Sequence, residues 1–390
     1  MADSGGMRRN NFDFLRLLAA STVLIHHAVI HLDASFLWHN EGNNWWFNGG
    51  VPLFFILSGM MVYRSGEKCL ASGLPWRSFY ANRALRIMPA MYVYIVALTI
   101  FLLAVGIITF SQALTPTYGA YVASNLLLIP VYTPPALADF GVGVVNGSLP
   151  TIPMEVSFYA IVPMLVLLAS RVKWRTTLMV TFGVAVAGIL VYAAVGGTES
   201  EPLIWKFYGV TFLPYLWYFA LGMLWSRAWP RVVQSGWIAL AAIVLYFVID
   251  KIPVGAEGAV ITRALAAIPL SYAAMWFGYR GPQMFSRITS RLGDLSFGTY
   301  IWHMIVVNTL IYFGARTWPV DGTILVLMVF LISLAIAFAS WRLVEKPSLA
   351  RKPYSSRARI AAVQDERANA ATKSTPPGNL RPDTGHSGEA

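Results

Sequence analysis

The feature that most constrains the fold is the first apolar segment, residues 10–32, which is long enough to cross a bilayer yet carries ionisable side chains. About 20 apolar residues, rising about 1.5 Å each, span the hydrocarbon core. Arg16 and His27 are 11 positions apart, so on a helix they share one face, roughly 16 Å apart along the axis. Since an ionisable group inside a membrane helix costs about 2.5–3.5 kcal/mol, this face is predicted to border protein or a wet cavity rather than lipid.

The composition of the whole chain indicates the same environment. Of its 390 residues, 57% are hydrophobic and only 12% are charged, whereas soluble domains carry about 25% charged residues. The single cysteine, Cys69, excludes an intramolecular disulfide and a thiolate metal cluster. We therefore predict an all-α polytopic membrane protein.

Apolar runs bounded by charge, glycine or proline predict about ten transmembrane helices around a polar cavity. The predicted spans fall near residues 13–33, 47–64, 87–109, 150–170, 176–196, 207–226, 235–250, 259–279, 295–314 and 322–343. The shorter segment 118–131, with Pro130 near its end, is predicted to lie in the interface or to fold back within a long loop.

The lysines and arginines predict the orientation of these spans. With the N-terminus in the cytoplasm, four of the 29 basic residues fall on the opposite side, namely Lys206, Lys251, Arg263 and Arg316. The positive-inside rule therefore predicts a multi-pass inner-membrane protein with both termini cytoplasmic. The net charge of +11 follows from this topology, so no nucleic-acid partner is predicted.

The chain divides into a transmembrane domain, residues 1–347, and a basic cytoplasmic tail, residues 348–390. The tail is rich in arginine, lysine, serine, proline and glycine and has no sustained apolar period. It is predicted to be disordered because it cannot bury enough apolar surface to offset the entropy of ordering.

Two arginines at the start of the third predicted span form an R-x-x-R pattern. Arg83 and Arg86 are three residues apart and so share a helical face, where two guanidinium groups can bind phosphates bidentately. Ordinary anchoring of the helix to lipid headgroups explains the same pattern.

Two further spans carry polar pairs at helical spacing. Glu155 is predicted at the outer end of the fourth span, with Tyr159 one turn below, where it would orient a histidine, hold a sugar hydroxyl or simply meet water. Tyr300 and His303 share a face in the ninth span, either as part of a site or as a satisfied buried pair.

The histidines in the first span do not form a convincing metal site. His27 and His31 have the i, i+4 spacing that zinc can use, but no cysteine partner, H-E-x-x-H pattern or carboxylate pair accompanies them. No P-loop, G-x-G-x-x-G or G-x-S-x-G motif is present either. We predict no bound metal and no permanently bound cofactor.

These segments together resemble the acyltransferase 3 family of integral membrane O-acyltransferases. The arginine–ten residues–histidine motif is met by Arg16 and His27, and the R-x-x-R motif by Arg83 and Arg86. The FF-x-x-SG, E-x-x-FY, SFG-x-Y-x-x-H and W-x-x-x-EKP-like signatures are similar to residues 54–59, 155–159, 296–303 and 341–347. The resemblance covers nearly all of the predicted membrane part.

The resemblance implies that an acyl group, most often acetyl, moves from acyl-CoA as co-substrate to a hydroxyl of a cell-surface polysaccharide or another glycosylated acceptor. It implies that the donor arrives from the cytoplasmic side. The predicted catalytic residues are His27, as general base, and Glu155, and the predicted donor-binding residues are Arg16, Arg83 and Arg86. Supporting or acceptor-binding roles are predicted for Asp13, His26, Tyr159, Tyr300 and His303.

Several points stay open at this stage. Asp13 is expected to pair with Arg16 one turn away, and the spacing from Arg16 favours His27 over the adjacent His26 as the base. Direct transfer and an acyl-histidine intermediate both fit, and the sequence does not determine the acceptor, the acyl length or the oligomeric state.

A proton-coupled transporter or flippase of a glycan or lipid-linked substrate is the alternative. It would use Arg16, His27 and Glu155 as a proton relay, since intramembrane ionisable residues serve that purpose as well. Such a protein is expected to show discontinuous helices in two related halves, and no such repeat is evident in the sequence.

Overall fold

The computed structural model describes residues 10–37, 48–195, 207–232 and 235–351. Every regular element in these ranges is a helix, which confirms the predicted all-α class. The predicted tail, residues 348–390, lies outside the described residues from position 352 onward.

The described chain is built of fourteen α-helices, and the longest fully described connection between them runs from residue 127 to residue 150. In chain order they are α1 (Phe12–His31), α2 (Gly50–Ala71), α3 (Trp76–Ala104), α4 (Phe110–Ala113), α5 (Pro116–Leu126), α6 (Thr151–Arg171), α7 (Trp174–Val195), α8 (Leu216–Val232), α9 (Gly236–Asp250), α10 (Ala256–Arg280), α11 (Gln283–Leu292), α12 (Ser296–Tyr312), α13 (Gly322–Ser340) and α14 (Lys346–Ala350). A π-helical turn, Trp341–Glu345, joins α13 to α14.

Six helices in the described part of the chain are long and apolar enough to cross a membrane. They are α1, α3, α6, α7, most of α10, and α13 continued into α14, and each coincides with a predicted span. The other four predicted spans fall on α2, α8, α9 and α12. Of these, α8, α9 and α12 have 17, 15 and 17 residues, fewer than the roughly 20 that cross the hydrocarbon core unaided. The count of ten spans and the cytoplasmic termini therefore stay predictions.

Small residues bring α2 and α8 into backbone contact. A Cβ atom on Gly59 would lie 2.2 Å from the carbonyl oxygen of Phe219, and one on Gly222 would lie 2.0 Å from that of Ile56. Neither position has room for a larger residue. Membrane helices that lack a hydrophobic driving force between them associate through such close packing.

α12 is the most enclosed helix near the site, and an irregular segment before α6 packs along it. Asn308 on α12 donates from Nδ2 to the carbonyl oxygens of Val144 and Val145, at 2.9 Å each, and accepts from the Val142 amide at 3.1 Å. Asn146 donates to the carbonyl oxygen of Ile301 at 2.8 Å. These bonds satisfy non-helical backbone that an apolar environment would otherwise leave unpaired.

Because of this segment, α6 begins beside the middle of the bundle rather than at its edge. Thr151, its first residue, lies with Oγ1 2.7 Å from the Tyr300 hydroxyl, about one turn into α12. Glu155, the fifth residue of α6, therefore lies near the end of its helix that starts inside the bundle, and the side of the membrane that this end faces stays a prediction. From Thr151, α6 runs towards the end of the bundle that holds Arg83, so Glu155 lies in that half.

Candidate active site

α1 carries both ends of the candidate site on one face. Arg16 lies at the end of the bundle that we call the arginine end, and His27 lies at the opposite, histidine end. Between them the helix presents Ala19 and Ala20, whose small side chains leave space beside the helix. Asp13 in the first turn complements the helix dipole.

At the arginine end, two arginines share one aspartate. Arg16 Nη1 and Arg86 Nη2 lie 2.9 and 2.5 Å from Asp294 Oδ2, and Ser296 donates its hydroxyl to Asp294 Oδ1. Burial alone raises the pKa of the Asp294 carboxyl, but the two guanidiniums outweigh burial and hold that pKa below its ordinary value. Asp294 is therefore a carboxylate that bridges α1, α3 and the start of α12.

A glycine fixes the loop that presents this aspartate. Gly293 has φ +99°, a conformation that residues with a side chain rarely adopt. A Cβ atom there would lie 1.9 Å from Trp341 Nε1, so the tryptophan also requires glycine at this position. Trp341 belongs to the 341–347 signature, and the fold brings it against the glycine that lies three residues before the 296–303 signature.

The predicted pairing of Asp13 with Arg16 is not found. Within the described residues, the carboxylate at salt-bridge distance from Arg16 belongs to Asp294, while Asp13, one turn before Arg16 on α1, is exposed and lies beyond that distance. Sequence reasoning missed Asp294 because its partners lie more than 200 positions away. The available signal was an aspartate placed directly before a nearly uncharged helix.

Arg83, the first arginine of the R-x-x-R pattern, has different neighbours from those of Arg86. Arg83 donates from Nη2 to Ser65 Oγ at 2.9 Å, and its guanidinium lies 5.7 Å from the ring centres of both Phe79 and Tyr159. Tyr159 in turn donates its hydroxyl to the Glu155 carboxylate. The structure thus joins Glu155 to the arginine end and not to the histidines.

At the histidine end, the fold pairs two imidazoles from different helices. His27 Nδ1 lies 2.9 Å from His303 Nε2, and His303 Nδ1 lies 3.2 Å from the carbonyl oxygen of Thr299. A carbonyl accepts only, so in the neutral ring His303 Nδ1 carries the proton and Nε2 accepts from His27 Nδ1. This tautomer leaves His27 Nε2 with the free lone pair, as a general base requires.

The neighbouring histidines do not create a metal centre. The rings of His26 and His31 lie with centroids 6.1 and 5.6 Å from that of His27. Within the ranges that the structure describes, no group of three histidine, cysteine, aspartate or glutamate side chains has the geometry to hold a metal ion.

Two cavities meet along α1. The larger one, about 450 Å³, is at the histidine end and is lined by His26, His27, Asn48, Tyr215, Tyr218 and Arg263 among others. A much smaller pocket, about 10 Å³, shares three of the lining residues and continues towards the arginine end past Thr151, Tyr300 and Phe54. Its volume is that of a single water molecule.

Phe54 joins this narrow passage to the arginine cluster. Its ring stacks on that of Tyr300 with centroids 6.2 Å apart, and its other neighbour is the Arg16 guanidinium, 5.9 Å from the ring centre. The Phe54 and Tyr300 rings therefore form a constriction between the small pocket and Arg16. Phe54, Thr151 and Arg263 were not predicted as site residues.

Buried ionisable groups along a passage inside apolar helices define a membrane protein whose site lies within the helical bundle. The chain belongs to the acyltransferase 3 family: the model of that family's acyltransferase domain matches residues 9–342. The protein is therefore a membrane-embedded acyltransferase, which favours the enzyme over the transporter or flippase considered from the sequence.

Two similar proteins support this assignment along nearly the whole chain. Nodulation protein 10 of Rhizobium leguminosarum bv. viciae is 28% identical over 376 residues, covering 87% of this chain and 93% of that protein. The putative membrane-bound transacylase BcsY of Komagataeibacter xylinus is 26% identical over 386 residues, covering 91% and 86%. No solved structure gives a significant match.

Proposed function

We propose that this protein transfers an acyl group, acetyl as the first choice, from acyl-CoA to a hydroxyl of a cell-surface polysaccharide or another glycosylated acceptor, with His27 as general base. The observation that carries the proposal is the His27–His303 pair, which opens on the 450 Å³ cavity and leaves His27 Nε2 as acceptor. The name of the transacylase among the relatives supports acyl transfer.

The proposed orientation places the arginine end in the cytoplasmic half of the inner membrane. The uneven distribution of basic residues supports both termini being cytoplasmic and ten spans in all. The donor then approaches from the cytoplasm, and its acyl-bearing arm reaches His27 beside Ala19 and Ala20. The arm passes once the Phe54 and Tyr300 rings move apart, because the pocket there is only about 10 Å³. The acceptor occupies the large cavity at the histidine end.

In the proposed reaction, His27 Nε2 removes the proton from the acceptor hydroxyl as its oxygen attacks the thioester carbon. The new C–O bond forms, the C–S bond breaks, and the CoA sulfur leaves with the proton that His27 gives back. General-base help of this kind is typically worth about 10²–10⁴ in rate. In the acyl-histidine variant, the imidazole nitrogen itself attacks the thioester first.

The other predicted site residues have proposed roles that follow their positions. His303 orients His27, and Tyr300 narrows the passage between the two ends. Glu155 touches Tyr159 rather than a histidine, so we propose that both position Arg83 beside the donor. Arg16 and Arg86 bind the buried Asp294 and form the polar inner end of the passage. Asp13 borders the cavity at the arginine end, and His26 borders the cavity at the histidine end.

The test compares two adjacent histidines that line the same cavity. Transfer of labelled acetyl from acetyl-CoA to membrane glycan is measured with purified protein and with the His27→Ala and His26→Ala variants. We expect His27→Ala to lower the rate about 10²–10⁴-fold and His26→Ala to have a much smaller effect. Full activity of His27→Ala, in protein that accumulates normally, would remove the base from the mechanism.

A further inference from the structure

The arginines of the family motifs are engaged by other side chains in the structure. Arg16 and Arg86 share Asp294, and their side chains are each only 14% exposed. Arg83 is bonded to Ser65 and lies against two aromatic rings. Asp294 already supplies the anion that Arg16 and Arg86 share, so a phosphate at these two side chains would compete with its carboxylate.

A second, open cavity adjoins this cluster. It encloses about 430 Å³ between the start of α1, the end of α2 and the end of α10, which is within the roughly 300–1,000 Å³ of ligand pockets. Its cationic residues are Arg64 and Lys68, and Asp13 lies on its wall. Its position at the arginine end distinguishes it from the cavity that contains the histidines.

The two cations are arranged as an anion would require. Arg64 and Lys68 are four residues apart on α2, so their side chains share a face, where like charges repel unless an anion lies between them. Arg64 is half-buried and uses Nη1 to donate to the Tyr279 hydroxyl at 2.6 Å, which holds the guanidinium in place and leaves donors free. Lys68 is exposed.

This cavity adjoins the arginine cluster of the candidate active site. Ser65, one of its lining residues, accepts the hydrogen bond from Arg83. Asp13, another lining residue, lies one turn before Arg16 on the face of α1 that leads to His27. The axial distance from residue 13 to residue 27 is roughly 21 Å, a separation suited to a long flexible arm between a nucleotide and a thioester.

We propose that the cavity bordered by Arg64 and Lys68 binds the phosphate-bearing nucleotide end of the acyl-CoA donor. Its phosphates contact these two side chains, while Arg16, Arg83 and Arg86 form the structure beside which the acyl-bearing arm passes. This assignment rests on the proposed function and adds a binding site outside the sequence motifs.

The experiment distinguishes contacts with the nucleotide end of the donor from contacts with its acyl-bearing end. The full chain is placed in nanodiscs of zwitterionic lipid, and CoA affinity and acetyl transfer are measured for wild type, Arg64→Gln, Lys68→Ala and Lys68→Glu. Lys173→Ala serves as control, because Lys173 is an exposed basic residue between α6 and α7 that does not line the cavity. Acetyl-pantetheine, which lacks the nucleotide, is the second donor.

We expect the Arg64 and Lys68 variants to weaken CoA binding about 10- to 100-fold each, as loss of a hydrogen bond to a charged group does, and Lys173→Ala to bind CoA normally. Transfer from acetyl-pantetheine should be the same in all variants. Lys68→Glu keeps the test valid if Arg64→Gln fails to fold, because the Lys68 side chain is exposed.

Three results would overturn the assignment. One is a CoA affinity that is unchanged in the Arg64 and Lys68 variants. Another is an equal loss of acetyl transfer from acetyl-CoA and from acetyl-pantetheine, which indicates a structural role. The third is unchanged CoA affinity with loss of co-purified anionic lipid, which assigns the cavity to a lipid headgroup. Wild-type protein that transfers acetyl from neither donor would instead contradict the proposed function itself.

Discussion

At the scale of single residues, the site depends on a buried aspartate that the sequence motifs do not include. Asp294 is held by Arg16 and Arg86, and no other described carboxylate lies within salt-bridge distance of either arginine. The replacement Asp294→Asn keeps the size of the side chain and removes its charge, so two buried guanidiniums are left facing one another.

We predict that Asp294→Asn lowers the stability of the protein by about 3–5 kcal/mol, because breaking a buried ion pair leaves uncompensated charge. The matched control is Asp139→Asn, since Asp139 is exposed and makes no salt bridge within the described ranges. Thermal unfolding in detergent measures both variants. Equal stability of the two would contradict the central role given to Asp294.

The pH dependence of this difference follows from the pKa of Asp294, which the arginines depress despite burial. A carboxylate with a depressed folded-state pKa stabilises fully above its unfolded pKa of about 3.9 and loses that contribution only below it. The stability difference between wild type and Asp294→Asn should therefore be constant between pH 8 and pH 5. A difference that shrinks across this interval would be inconsistent with the cluster.

The histidine pair yields a second prediction at this scale. We predict that His303→Ala lowers kcat about tenfold, the worth of one hydrogen bond, with little change in the acceptor KM, because His303 orients the base without touching the acceptor. His303→Gln, whose amide oxygen accepts from His27 Nδ1, should restore part of the rate. Steady-state kinetics distinguish these variants, and equal loss in both would indicate a packing role only.

At the scale of helices, the contact between α2 and α8 depends on glycines at the crossing. We predict that Gly59→Ala lowers stability by about 1–3 kcal/mol, since its Cβ would meet the Phe219 backbone, which cannot move aside as a flexible side chain does. Gly183→Ala on the exposed face of α7 is the control, because nothing lies within 4 Å of its added Cβ. A Gly59→Ala protein as stable as this control would show that the crossing can open.

The helices themselves were largely predictable, because long apolar runs and their bounding charges lie within short stretches of sequence. The first residue of α6 was predicted to within one position, but its depth in the bundle was not. That depth depends on Asn308, which binds backbone more than 160 positions earlier and lets an irregular segment run deep into the bundle. Of the contacts considered for Glu155, the structure shows the hydrogen bond from Tyr159, one turn away on the same helix.

The residues that form the two ends of the site also include some that the sequence predicted and some that it did not. The spacing of Arg16 and His27 on one helix was visible in the sequence, because both lie on α1. The His27–His303 contact and the shared Asp294 depend on how α12 packs against α1, which no local pattern reports.

At the scale of the whole molecule, the predicted topology has a direct test. In a Cys69→Ser background, Ser111→Cys beside α4 should react with a membrane-impermeant maleimide on intact cells, because positions 109–150 are predicted to be external. Ser170→Cys at the end of α6 should react only after permeabilisation. Both side chains are exposed, so accessibility to the reagent differs only by membrane side. Labelling of Ser170→Cys from outside would reverse the proposed orientation.

The constriction between the Phe54 and Tyr300 rings has a consequence for the cell that houses the protein. In the proposed reaction one reactant arrives from each side of the bilayer, so a catalyst of this kind contains a potential leak. The gap between the two rings has room for about one water molecule and none for a hydrated ion, so we expect the resting protein to preserve the electrical insulation of the membrane.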